Sequence, residues 1–280
     1  MNIDKDVLKG MAVVAGAAVL AGCSTGSEDY LPGTYSVDAK WGMLVDLDKC
    51  IGCAACVIAC KIENGTQHGV YWCNLNYKEY GSLNKVQSKF SDTPQIRRLF
   101  KPTACHHCRN AQCIMVCPTG ASRYADDGTV SVDMNVCYGC MQCVDACPYG
   151  ARQFNAHAQE ENPAYAIVDQ YRNPAELLTA LELRNGPKHP GHTAEKCTFC
   201  STRRAKGEKP ACVETCQTGA RWFGLLADPA SDFNAEKARL LAEGMQVVPD
   251  MPSDPSHKNF AVDTKPSFYI AAKYPNNFKF

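Results

Sequence analysis

Sixteen of the eighteen cysteines fall into four tight groups along the 280 residues. Group one is Cys50, Cys53, Cys56 and Cys60, and group two is Cys105, Cys108, Cys113 and Cys117. Group three is Cys137, Cys140, Cys143 and Cys147, and group four is Cys197, Cys200, Cys212 and Cys216. Thiols at two- and three-residue gaps, repeated four times, point to metal ligation. A disulfide framework belongs to short secreted chains and predicts scattered cysteines.

Groups one and three read C-x2-C-x2-C-x3-C, and groups two and three end in Cys117-Pro118 and Cys147-Pro148. This spacing is the run that holds iron–sulfur cubanes, with the fourth cysteine reaching the other cluster of a pair. Three thiolates at short intervals let a tight loop wrap one face of a cubane while its N–H groups offset the negative charge. The proline turns the chain after the ligand, since it cannot donate a helical N–H. Group two is stretched by Arg109–Gln112 and group four by Ser201–Ala211, with Gln217 where a proline would stand. Longer gaps enlarge the loop without removing a ligand, so four full cubanes are expected. Zinc also takes C-x2-C pairs, but a third cysteine two residues on would crowd a single tetrahedral ion.

These loops need short strands and helices to hold them. Trp41–Asp48 alternates apolar and polar residues and predicts a strand feeding group one. Gly128–Asp133 repeats the pattern after an Asp-Gly turn, and Arg221–Leu226 follows group four. The expected fold class is α+β: two bacterial-ferredoxin-like two-cluster modules related by internal duplication, with long insertions and an extended C-terminal tail. The expected divisions are residues 34–104 for the first half-module and its insertion, and 105–160 for the module of groups two and three. Residues 161–227, with a helix over Pro174–Arg184, bring group four back to the first module, and 228–280 form a tail that contacts a partner.

Residues 1–33 read as an anchor and tether. Met11–Leu20 is apolar but short for a bilayer span, and fits a signal core. It runs into Leu20-Ala21-Gly22-Cys23, which resembles a lipobox and makes Cys23 a candidate for lipid attachment. Asp4–Lys9 resembles a twin-arginine signal without its arginines. The expected location is the outer face of a bacterial cell membrane, tethered through the N-terminus, with a cytoplasmic, membrane-associated state as the alternative. The chain has 29 basic and 29 acidic residues, a balance that speaks against a nucleic-acid partner.

The stretch from Lys196 to Cys216 (KCTFCSTRRAKGEKPACVETC), with Cys105-His106-His107-Cys108 and Ala146–Arg152 (ACPYGAR), resembles the iron–sulfur subunits of the dimethyl sulfoxide reductase superfamily. The resemblance covers about residues 42–226 and includes the order of the four groups. It implies four [4Fe–4S] clusters and which groups share them. Cluster one would take Cys50, Cys53, Cys56 and Cys216, and cluster two Cys197, Cys200, Cys212 and Cys60. Cluster three would take Cys105, Cys108, Cys113 and Cys147, and cluster four Cys137, Cys140, Cys143 and Cys117. It also implies two partners: a molybdopterin catalytic subunit, and a membrane quinol-oxidising subunit or cytochrome. No catalytic residues of the chain's own are expected, as no dinucleotide fingerprint or nucleophile–base arrangement occurs. The alternative is a free-standing multi-cluster shuttle.

Around the clusters, Arg203, Arg204, Lys206 and Lys209 read either as potential-raising charges or as a docking face. His106 and His107 sit between two cysteines whose set is already complete. Tyr138, Tyr149 and Phe199 read as shields against water or as core, and Cys73 as a buried inert thiol.

Overall fold

The computed structural model describes residues 40–80, 97–158, 189–259 and 261–273. Cys23, the N-terminal anchor and the helix expected over Pro174–Arg184 lie outside them. The described residues belong to one compact unit.

The expected strand ahead of group one is β1 (Trp41–Asp46), and the run after group four is β8 (Arg221–Leu225). They pair antiparallel, with Met43 opposite Phe223. The alternation in β1 predicts one solvated face, yet Met43, Leu44 and Val45 are all buried. The C-terminal segment explains the difference. β10 (Phe268–Ala272) runs parallel to β1, and β9 (Gln246–Pro249) completes a sheet of order β8-β1-β10-β9. Helix α6 (Asp232–Ala242) covers one face through Phe233 and Leu240, which close on Leu44 and Ala271. Ser231 caps this helix by accepting from the Asn234 N–H. The other face carries Met43, Val45, Phe268 and Ile270 into a core that includes Cys56, Cys60, Cys197 and Cys212.

The remaining elements are small. Strands β2 (Cys73–Tyr80) and β3 (Arg97–Ala104) pair antiparallel, so that Cys73 faces Ala104 just before group two. Strand β4 (Ser122–Tyr124), after group two, pairs antiparallel with β5 (Val130–Val132), before group three. Strand β6 (Gln153–Asn155) pairs with β7 (Thr193–Glu195). Each cysteine loop runs into a short helix: α1 (Ala55–Asn64), α2 (Gln112–Met115), α3 (Gln142–Asp145), and α4 (Ser201–Ala205) with α5 (Ala211–Glu214).

Candidate metal centres

The first two cysteines of every group flank a left-handed residue. These are Gly52 at φ 72°, His107 at 42°, Gly139 at 80° and Phe199 at 52°. A left-handed residue within a right-handed turn aims successive backbone N–H groups into one concavity, an arrangement suited to anions and iron–sulfur sites. Glycine is required twice over at Gly139, where an added Cβ would lie 2.3 Å from the His192 carbonyl oxygen. At His107 and Phe199 the conformation costs about 1–2 kcal/mol. Their rings offset this by stacking on each other at 3.8 Å, which joins the loops of groups two and four.

The backbone donors reach sulfur. His107 N–H donates to Cys105 Sγ (3.5 Å) and Phe199 N–H to Cys197 Sγ (3.3 Å). Beyond the fourth cysteines, Ser122 N–H donates to Cys117 Sγ and Ala220 N–H to Cys216 Sγ, both at 3.3 Å. The chain thus supplies donors around the candidate ligand atoms before any metal is considered.

Four gatherings of thiols result. One cavity is lined by Cys50, Cys53, Cys56 and Cys216, with Arg221 in its wall. A second is lined by Cys105, Cys108, Cys113 and Cys147, with Arg152 and Tyr149. Both cavities are walled almost wholly by these thiols, backbone and apolar side chains. Among the described residues no three His, Cys, Asp or Glu side chains converge on a point suited to one ion. The third gathering surrounds Cys60, whose thiol is pushed far up by burial and then by Cys197, Cys212 and Cys200. Asn64 Nδ2 donates to both Cys60 Sγ (3.5 Å) and Cys200 Sγ (3.9 Å). In the fourth, burial raises Cys143; Arg152 opposes this, and Cys113, Cys137 and Cys117 add to it. Tyr138 hydrogen-bonds Cys140 there, with Cys117 and Cys137 beside it.

The gatherings lie within electrostatic reach of one another in series. Cys212 feels Cys56, Cys197 feels Cys105, and Cys143 feels Cys113. Burial pushes Cys147 and Cys200 each up to about 11, so these thiols keep their protons until a cation displaces them. Cys117 and Cys56 go the other way. Cys117 is lowered, its burial outweighed by hydrogen bonds from Ser122 and Thr119. Cys56 is held at about 6 chiefly by a hydrogen bond from Cys73. Cys73 is therefore buried beside a candidate ligand, a proximity its sequence position does not reveal.

The cations that approach sulfur are not those inside the group-four loop. Arg203 pairs with Glu63 (3.2 Å), Glu208 (3.5 Å) and Glu214, and Arg204 pairs with Asp127 (2.6 Å). Lys209 pairs with Asp232, and Lys206 is exposed. Instead Arg152 Nη2 donates to Cys113 Sγ at 3.1 Å, and Arg221 Nη1 to Cys73 Sγ at 3.6 Å. Buried Lys196 donates to the Cys197 carbonyl oxygen (2.8 Å). The signal was in the sequence: both arginines stand five residues after a fourth cysteine, in Cys147–Arg152 and Cys216–Arg221, and both follow Gly-Ala.

Both His106 ring nitrogens are engaged, Nδ1 by the Ala104 carbonyl (2.8 Å) and Nε2 by Asp250 (2.9 Å). His107 Nδ1 accepts from Val130 N–H (3.1 Å), and burial, then Lys196 and Arg204, keep the ring neutral. Of the aromatic residues, Phe199 is buried and Tyr149 half-buried against the second cavity, but Tyr138 is 60% exposed and lies at the surface beside Cys140.

Comparison with known proteins gives the donor set a context. A family described as a 4Fe-4S dicluster domain matches residues 96–172 and 186–226, and a 4Fe-4S binding domain matches 41–62. The chain is 35% identical over 231 residues to the iron–sulfur subunit of the arsenate respiratory reductase of a Shewanella species, covering 77% of this chain and 94% of that one. It is 36% identical to one of the chains of the polysulfide reductase of Wolinella succinogenes, covering 70% and 81%. It is 32% identical to protein NrfC of Escherichia coli, covering 93% and 94%. Within the described residues, no helix is long and apolar enough to cross a membrane.

Proposed function

The chain belongs to the 4Fe–4S electron-transfer subunits of the dimethyl sulfoxide reductase superfamily, and from that premise we propose that it relays single electrons through four clusters between two partners. One partner is a membrane quinol-oxidising subunit or cytochrome. The other is a molybdopterin-containing catalytic subunit that carries the substrate chemistry. The N-terminus tethers the chain to the outer face of the membrane through Cys23.

The ligand sets proposed are Cys50, Cys53, Cys56 with Cys216; Cys197, Cys200, Cys212 with Cys60; Cys105, Cys108, Cys113 with Cys147; and Cys137, Cys140, Cys143 with Cys117. The observation that carries the reading is the serial electrostatic proximity of the four thiol gatherings, through Cys56–Cys212, Cys197–Cys105 and Cys113–Cys143. Internal duplication has its own support. The strand before group one pairs antiparallel with the strand after group four, and the strand before group three does the same with the strand after group two. On this reading residues 34–104 and 161–227 make one module, and 105–160 the other.

The clusters supply one-electron chemistry that side chains lack. The protein holds the thiolates, offsets their charge with N–H donors, and buries the interior centres. Cys197, Cys212 and Cys60 are all below 8% exposed, whereas Cys53 is exposed. Exposed Ile51 and Ile58 surround the group-one end, and exposed Val136, Tyr138 and Met141 the group-three end. Those two ends are where electrons enter and leave.

The test is the full chain purified without oxygen. About sixteen iron atoms per chain, four for each set, are expected, with a visible absorption that dithionite bleaches. Far fewer would break the four-cluster reading. A fully active soluble monomer, purified alone, would instead favour the free shuttle.

A further inference from the structure

Two buried guanidinium groups occupy equivalent places. Arg221 and Arg152 are each 3% exposed, and each lies in the wall of one four-cysteine cavity. Each also reaches the neighbouring gathering. Arg221 acts on Cys56 of the first set and on Cys212 and Cys197 of the second. Arg152 acts on Cys113 and Cys105 of the third set and on Cys143 of the fourth. Neither is paired with a carboxylate among the described residues. Arg152 Nη1 donates to Ser122 Oγ (2.9 Å) and Nη2 to Cys113 Sγ. Arg221 Nε and Nη2, and Arg152 Nε, meet no hydrogen-bond partner among the described residues.

A buried guanidinium with N–H donors left unsatisfied and no carboxylate beside it is costly. Its cost is removed if an anionic group fills the adjacent cavity and accepts the spare N–H donors. We propose that Arg221 and Arg152 are positioning and charge-compensating residues, one within each pair of cysteine sets, and that each raises the reduction potentials of both clusters in its own pair. This rests on the four-cluster reading above. Each reduction adds one electron, and so one negative charge, to the buried interior of a pair. No bond forms or breaks and no proton moves. A fixed guanidinium between the two sites favours the added charge at either, so the electron meets a small step when it crosses between them. Net charge and hydrogen bonds to sulfur are the levers by which a protein sets such potentials.

The experiment is an electron-paramagnetic-resonance redox titration of the holoprotein with dithionite, on Arg221→Gln, Arg152→Gln and the matching lysine variants. In Arg221→Gln two of the four reduction steps are expected to move at least tenfold towards the oxidised form, ~59 mV for one electron. The other two stay in place. Arg152→Gln is expected to move the complementary two, and lysine to restore most of the shift at either site. Fully loaded glutamine variants that titrate like the wild type, or that move all four steps together, would overturn the proposal. If a glutamine variant loses iron, the wild type is titrated at low and at high salt. Buried compensation predicts potentials nearly unmoved by ionic strength, and large shifts with salt would overturn it. Iron far below about sixteen atoms in the wild type is a separate result, and sinks the four-cluster reading itself.

Discussion

The two halves of the molecule hold the same kind of loop in different ways. Around groups one and four the loops hang from a four-stranded sheet whose strand β1 is buried on both faces. Helix α6 and strand β10 close that sheet with Leu44, Phe233, Leu240 and Phe268. Around groups two and three there is a hairpin of two three-residue strands and an apolar cluster of Ala111, Ile114 and Val130. Apolar burial stabilises the first half at roughly 25 cal/mol per Å² whether or not metal is bound. The second half has little such area, so its order must come mainly from ligation.

The largest expected effect is therefore on metal removal. Stripping iron anaerobically should abolish hydrogen-exchange protection across residues 105–152, while Met43–Asp46 and Phe268–Ala272 keep most of theirs. Equal loss in both halves would erase the contrast. A smaller effect separates the two loop glycines. In Gly139→Ala the new methyl meets the fixed His192 carbonyl at 2.3 Å, whereas in Gly52→Ala it meets the Phe100 ring at 2.4 Å, a side chain able to shift. Both carry the ~1–2 kcal/mol cost of a left-handed alanine. Gly139→Ala should lower the melting temperature and the iron content further than Gly52→Ala, and the reverse order would count against the rigidity assigned to that loop.

The smallest effect concerns pH. His189 is buried, with Nδ1 on Glu195 and Nε2 on the Asn64 carbonyl (2.8 Å). Burial lowers its pKa, but the Glu195 bond and charge and the Asn64 carbonyl together raise it above 6.5. The folded state thus binds the proton more tightly than the unfolded chain. This contribution is fully present below about 6.5 and fades as pH climbs through the raised folded value. A melting temperature that falls over that range, with the slope removed in His189→Asn, is the expected result. Asn64 also donates to Cys60 and Cys200, so the pair is anchored beside candidate ligands of the first half.

Much of this was legible beforehand. The strands at Trp41, Gly128 and Arg221 and the short helices after the cysteine loops follow from local spacing and turn residues. Other features were not. β1 reads as half-buried because the cover of its second face, helix α6, arrives far later in the chain, with Phe233 and Leu240 closing on Leu44. The basic run of group four reads either as cluster-facing or as a docking face, and the choice waits on Arg203 and Arg204 finding carboxylates at Glu63 and Asp127, distant in the chain. Cys73 looks solitary until the β2–β3 pairing brings it beside Cys56 and Arg221.

The sequence by itself determined the chemistry: thiols three apart, a left-handed residue between them and a turn beyond require only local geometry. Only the tertiary structure decided that Cys216 shares a cavity with Cys50, and that Arg221 and Arg152 lie among thiols from two groups. Such contacts join residues far apart in the chain. They are chosen by which strands pair and which faces are buried, and no spacing along the chain encodes that.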